Sequence, residues 1–210
     1  MAKWITYSQS NWVISPDKFL TPDETKQLRK TCQNAALPAK TKGIQAPVRD
    51  ALIIELALGT GLRVSELSNL KIEDLFLKKG QNLLFVKNGK GGKDRVVHFS
   101  PELKKQIRKY LDYRLSNSKH LFPSKRGDQI TASGIQQVFK RCAAKAGLDS
   151  HYSISSLRHT FAVRLYKASR YNLRLVQNQL GHSSILSTQV YANIFDLDIE
   201  EAMASLDLLE

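Results

Sequence analysis

The chain has 210 residues, room for one ordinary domain or two small ones, and its 42% hydrophobic and 24% charged content excludes disorder, collagen and coiled coil. Lys and Arg number 32 against 19 Asp and Glu, a net charge of +13 that points to a polyanion, with nucleic acid first and an anionic membrane surface second. No apolar run approaches the roughly 18–20 residues of a membrane span, and no signal-peptide core opens the chain, so a soluble cytoplasmic protein is expected.

Residues 1–18 show no sustained period and read as an N-terminal arm. Thr21-Pro22-Asp23-Glu24 is a capping box with Pro at the first helical position, which predicts a helix to about Asn34. A polar loop over Leu37 to Pro47 leads into an apolar helix over Val48 to Leu58, stopped by Gly59-Thr60-Gly61. A short helix follows from about Val64 to Leu70. Leu83–Val86 and Arg95–Phe99 read as strands around the glycine-rich turn Asn88-Gly89-Lys90-Gly91-Gly92-Lys93. Ser100-Pro101-Glu102 opens a helix to about Ser116, and Thr131 caps another that ends at Gly147. Further helices are predicted over about Ile154 to Ser169, Leu173 to Leu180, Ile185 to Ile194 and Asp198 to Leu208. Cys32 and Cys142 fall in helical patterns as small core residues and match no metal spacing. The expected fold class is α+β, mainly α, with one small antiparallel sheet.

The charge is unevenly spread. Residues 195–210 hold six acids and no base, so the preceding 194 residues carry +19. An acidic C-terminal tail helix of this kind packs on a basic surface, docks elsewhere through its stripe of Ile199, Ala202, Met203 and Leu206, or is simply solvated.

Several apolar segments are interrupted by groups a core would avoid. Arg63 follows Gly61-Leu62 at a helix junction, Arg158 and His159 interrupt the helix around Leu157 and Phe161, and His182 follows Gly181 at another helix end. Singly, each reads as a satisfied structural residue, and Tyr191 as core. Together they form an ordered set: Thr60-Gly61-Leu62-Arg63-Val64-Ser65-Glu66-Leu67, Gly89-Lys90-Gly91-Gly92-Lys93-Asp94-Arg95, Leu157-Arg158-His159-Thr160-Phe161-Ala162 and Leu180-Gly181-His182, with Tyr191 nine residues further. In these motifs the chain resembles the catalytic domain of the tyrosine recombinases, the phage integrase family, over about residues 19–194.

The resemblance implies a site-specific DNA recombinase that cleaves and rejoins duplex DNA through a covalent 3'-phosphotyrosyl intermediate, with no metal or other cofactor. Arg63 and Arg158 would hold the non-bridging oxygens of the scissile phosphate, a task that suits permanently charged, bidentate guanidiniums. Tyr191 would be the nucleophile, His182 a hydrogen-bond donor to the phosphate, and Lys90 the general acid for the departing 5' oxygen, with Lys93 as the competing lysine. Glu66 would orient Arg63 or form a surface salt bridge. The implied partners are double-stranded DNA, other protomers in a tetrameric synapse on DNA, and accessory DNA-binding proteins, with no membrane.

Two departures stand out. The family has His three residues before the second arginine, where this chain has Ser155, which cannot act as a base near neutral pH. A substrate oxygen or water, or His151 from the preceding loop, would then accept the tyrosine proton, or the enzyme would be slow, and His159 reads as a core histidine. The residues before Phe19 are also too few for the family's N-terminal DNA-binding domain, so the expectation is a short form or an isolated catalytic domain. Two other readings remain open: a catalytically weak DNA-binding protein that keeps this fold, and a type IB topoisomerase. The helix carrying Gln136, Gln137, Lys140 and Arg141 is the candidate groove reader.

Overall fold

The computed structural model describes residues 14–87, 92–124 and 128–192. A long helix α1, Pro22–Thr41, begins at the expected capping box: Thr21 Oγ1 accepts from the Glu24 N–H at 3.2 Å, and Glu24 Oε2 accepts from the Thr21 N–H at 2.8 Å. It runs well past Asn34 and through Pro38. The missing Pro N–H would have met the Asn34 carbonyl, and both residues lie on the exposed face, so that oxygen is open to solvent rather than buried without a partner.

Helix α2, Gln45–Thr60, starts three residues earlier than the apolar pattern suggested. Pro47 sits in its first turn, where no N–H has an intrahelical partner. Residues 52–58 of α2 are buried on every side, the signature of a central helix. It packs against α1, α4 (Pro101–Tyr113), α5 (Ala132–Lys145) and α6 (Ile154–Ala168). Glu55 in that run is kept at the core edge by Arg29 at 3.2 Å. Gly61 ends α2 in the left-handed region at φ +64°, and the short α3, Val64–Asn69, leaves at a new angle.

Strands β1 (Leu75–Phe76), β2 (Leu83–Val86) and β3 (Arg95–His98) form an antiparallel sheet in that order. Leu84 pairs with Val97 and Val86 with Arg95, so Arg95 lies on the same inward face as buried Val97. β2 and β3 match the sequence expectation, whereas β1 is too short to show a period. The turn at 88–91, with Lys90, lies outside the described residues.

Helices α4 to α6 fall close to their predicted spans, and α7, Leu173–Leu180, matches its prediction. The helix expected over Ile185 to Ile194 is instead a single turn, α8, Leu186–Gln189, with Tyr191 in the turn beyond it. The acidic tail lies outside the described residues.

A main core spans α1 to α6 and the sheet. A second, smaller cluster gathers Ala162 and Tyr166 of α6, Val176 and Leu180 of α7, Tyr191, and Ile14. The Ile14 N–H donates to the Val190 carbonyl at 3.2 Å, and the Leu20 N–H donates to Thr160 Oγ1 at 2.9 Å. The last residues of the expected arm are therefore packed onto the segment that carries Tyr191. No described helix is long and apolar enough to cross a membrane.

Candidate active site

Two glycine-terminated helices create the centre of the site. α2 and α7 both end on a left-handed glycine, Gly61 and Gly181, and such ends leave carbonyls without helical partners and with partial negative charge. Arg158, projecting from α6 and only 8% exposed, fills both ends. Its Nη1 donates to the Gly61 carbonyl and its Nη2 to the Leu180 carbonyl at 2.9 Å. Two helix C-termini thus accommodate one buried guanidinium. Burial, and then the neighbouring Arg63, pull its pKa down to about 10, which still leaves it charged at neutral pH.

The same Nη2 lies 3.0 Å from His182 Nε2. A guanidinium can only donate, so Nε2 accepts and the neutral ring carries its proton on Nδ1. Nδ1 is 2.9 Å from Thr188 Oγ1, a fully buried hydroxyl that fixes the ring. Burial, followed by the charges of Arg158 and Arg63, pushes the His182 pKa down to about 4.

Arg63 stands at the N-cap position of α3 and is supported by Glu66, which accepts from the Arg63 backbone N–H at 2.8 Å and lies 3.4 Å from its Nη1. Glu66 is no surface residue: its side chain is 7% exposed. It is clamped by Arg95, whose two terminal nitrogens reach the two carboxylate oxygens at 2.7 and 2.9 Å. Burial alone would raise the Glu66 pKa, but the Arg95 hydrogen bonds, the Arg63 N–H and the nearby positive charges outweigh it and hold the group ionised. Arg95 also packs against Gly181, so close that a Cβ there would be 2.6 Å from Arg95 Cδ. Gln179 reinforces this junction by bonding both the N–H and the carbonyl of His98. The strand that leaves the Lys90 turn is thereby fastened to Glu66 on one side and to the Gly181-His182 corner on the other.

Tyr191 is 2% exposed. Its hydroxyl lies 3.0 Å from His159 Nδ1, with ring centroids 6.0 Å apart. Burial raises the phenol pKa, while Arg158 and then Arg63 act against that rise. Burial, with Arg158 next, lowers the pKa of His159, which keeps the imidazole neutral at neutral pH, and in the tautomer with its proton on Nε2 the phenol donates and Nδ1 accepts.

The structure thus brings Arg63, Arg158, His182 and Tyr191 of the sequence set together. Lys90 lies outside the described residues, and Lys93 is exposed. Ser155 is exposed on the first turn of α6. His151 does not join the group, because its ring nitrogens lie 2.7 Å from Asp149 Oδ1 and 2.8 Å from the Asp17 carbonyl. Sequence reasoning passed over Arg95, Thr188 and the bond of His159 to Tyr191. One signal for His159 was present: it stands one helical turn after Ser155, on the same stripe of α6.

Three of the four candidate groove readers are bonded within the protein. Gln136 accepts from the Ile154 N–H at 3.3 Å, Lys140 donates to the Ser150 carbonyl, and Arg141 pairs with Asp50. Gln137 is exposed. A cleft of roughly 620 Å³ opens beside Arg63, with Lys71, Lys87 and His120 on its walls. Among the described residues no cluster of metal-ligating side chains occurs.

The sequence pattern described as the phage integrase family matches residues 18–197. The chain is 36% identical over 196 residues to tyrosine recombinase XerA of Pyrococcus horikoshii, covering 92% of this chain and 62% of that protein. It is 38% identical over 159 residues to tyrosine recombinase XerC of Corynebacterium glutamicum, covering 74% and 50%. A crystal structure of the XerH site-specific recombinase bound to difH substrate, a pre-cleavage complex, superposes with a TM-score of 0.74 at 29% identity, covering 89% of this chain and 53% of that one. The chain spans between half and two thirds of the length of these curated relatives.

Proposed function

The chain belongs to the phage integrase family, and on that premise we propose that it is a site-specific DNA recombinase that cleaves and rejoins duplex DNA through a phosphotyrosyl link. The observation that carries this reading is the convergence on Arg158. The carbonyls of Gly61 and Leu180 and the His182 ring meet at the buried Arg158 guanidinium, whose charge acts on the Tyr191 phenol, although residue 61, residue 158 and residues 180–191 are three distant stretches of sequence.

In this reading Arg63 and Arg158 hold the non-bridging oxygens of the scissile phosphate. Charge grows on those oxygens during attack, and preorganised donors there are worth about 3–4 kcal/mol each. Tyr191 attacks phosphorus, and Lys90 protonates the departing 5' oxygen. His182 first keeps Arg158 in place. A phosphate brought against the ring favours its protonated form, which then has an Nε2–H to donate. Duplex DNA is the substrate. Other copies of the chain are the partners in synapsis, with accessory DNA-binding proteins as further partners. The excess of basic residues before the tail supports DNA binding and makes it steeply salt-dependent.

Ser155, exposed where the family pattern has histidine, favours the second reading, a DNA-binding protein with little cleavage activity. A nicked cognate site separates the two. Loss of the short 5' fragment traps a covalent protein–DNA adduct from the active enzyme, and Tyr191→Phe abolishes it. An unsubstituted chain that binds the site specifically and yields no adduct refutes the recombinase reading.

A further inference from the structure

We propose that His159 is the group that accepts the Tyr191 proton during cleavage and returns it during rejoining. This rests on the recombinase reading above and supplies the base that Ser155 cannot.

The geometry puts the Tyr191 hydroxyl 3.0 Å from His159 Nδ1, within the reach a proton transfer requires. The other candidates are occupied or turned away. His182 has Nε2 on Arg158 and Nδ1 on Thr188. His151 is held by Asp149 and Asp17, and Ser155 is exposed. Tyr191 is almost fully enclosed, and His159 is the side chain that its hydroxyl meets there.

The pair is also matched to a reaction that should wait for its substrate. Burial keeps the phenol protonated and His159 neutral, so the hydroxyl is hydrogen-bonded but unreactive. When a phosphodiester is held by Arg63 and Arg158, its negative charge favours an imidazolium nearby. The step then balances. The Tyr191 Oη–P bond forms as the P–O5' bond breaks, the phenol proton passes to His159 Nδ1, and Lys90 gives its proton to O5'. Rejoining reverses each transfer and leaves both residues as they began.

The test compares single-turnover adduct formation on a nicked cognate site at saturating protein. His159→Asn keeps an acceptor near the position of Nδ1 but cannot take a proton, and His159→Ala removes the acceptor altogether. Both are expected to slow adduct formation by about 10²- to 10⁴-fold with the DNA dissociation constant nearly unchanged. In the unsubstituted protein, a more acidic fluorinated tyrosine at position 191 reduces the need for a base, and installed in the His159→Asn variant it recovers part of the lost rate. A His159→Asn variant that forms adduct at the unsubstituted rate overturns the assignment alone, and so does a variant whose lost rate the fluorinated tyrosine leaves unrecovered. If His159→Asn does not fold, His159→Ala carrying the fluorinated tyrosine is read by the same criterion. An unsubstituted protein that forms no adduct overturns the recombinase reading and this inference with it.

Discussion

Truncating Arg95 isolates the carboxylate on which the candidate site is built. Arg95→Ala removes two hydrogen bonds of 2.7 and 2.9 Å to Glu66, and the two side chains are only 11% and 7% exposed. An exposed ion pair is worth about 0–1 kcal/mol. Removing one partner of a buried pair costs about 3–5 kcal/mol, because the other charge is stranded. Glu66 keeps the Arg63 N–H at 2.8 Å, which places the expected loss at the lower end, about 3 kcal/mol. For a domain with a urea slope of about 2 kcal/mol/M, the unfolding midpoint falls by about 1.5 M with the slope unchanged. Adding Glu66→Ala removes the stranded charge, so the double variant is less destabilised than the sum of the two single ones. A loss below about 1 kcal/mol for Arg95→Ala, or strict additivity in the double variant, refutes the reasoning, because the pair would then behave as exposed.

Stability also depends on pH through His182. Its pKa of about 4 in the folded chain lies below the ordinary value of about 6.5, so the unfolded chain binds the extra proton first. Stability is full above about pH 6.5 and falls as the pH drops towards 4. Urea midpoints at pH 7.5 and 5 should converge in His182→Gln, and an unchanged gap counts against the assignment. Gly181→Ala meets a left-handed backbone, about 1–2 kcal/mol, and also a collision with Arg95. Gly43→Ala, at φ +70° with nothing within 4 Å, meets only the first cost, so equal losses in thermal unfolding would discount the Arg95 packing. Ser155→His should change the adduct rate by less than about tenfold, because His159 already supplies the base, whereas a gain of 10²-fold or more shows that the base had been missing.

Local chemistry made much of the fold legible in the sequence. Thr21, Ser100 and Thr131 accept from backbone N–H groups three residues on, and such caps are written in adjacent residues. Gly61 and Gly181 announce helix ends for the same reason. What local pattern could not show was the consequence of those ends. Glu66 and Arg95 are 29 positions apart and His159 and Tyr191 are 32 apart, so only tertiary packing pairs them. The continuation of α1 through Pro38 depended on which face met water. The two-residue β1 exists because β2 offers it a ladder. The four motifs pointed to the proposed chemistry, but not to the contact between Tyr191 and His159, a residue set aside as core.

Arg63, Arg95 and Arg158 share the single carboxylate Glu66, and each of the other two guanidiniums helps to depress the pKa of Arg158. Two positive charges at this centre are left without a protein counter-ion among the described residues. The fold therefore carries a standing repulsion that a small dianion relieves, and the domain's stability becomes a gauge of occupancy. Phosphate or sulfate at 100 times its dissociation constant would add about 2.7 kcal/mol. An anion series in a thermal-shift experiment would measure the site's affinity for the central group of the proposed DNA substrate without any DNA, and Arg158→Ala would flatten the response.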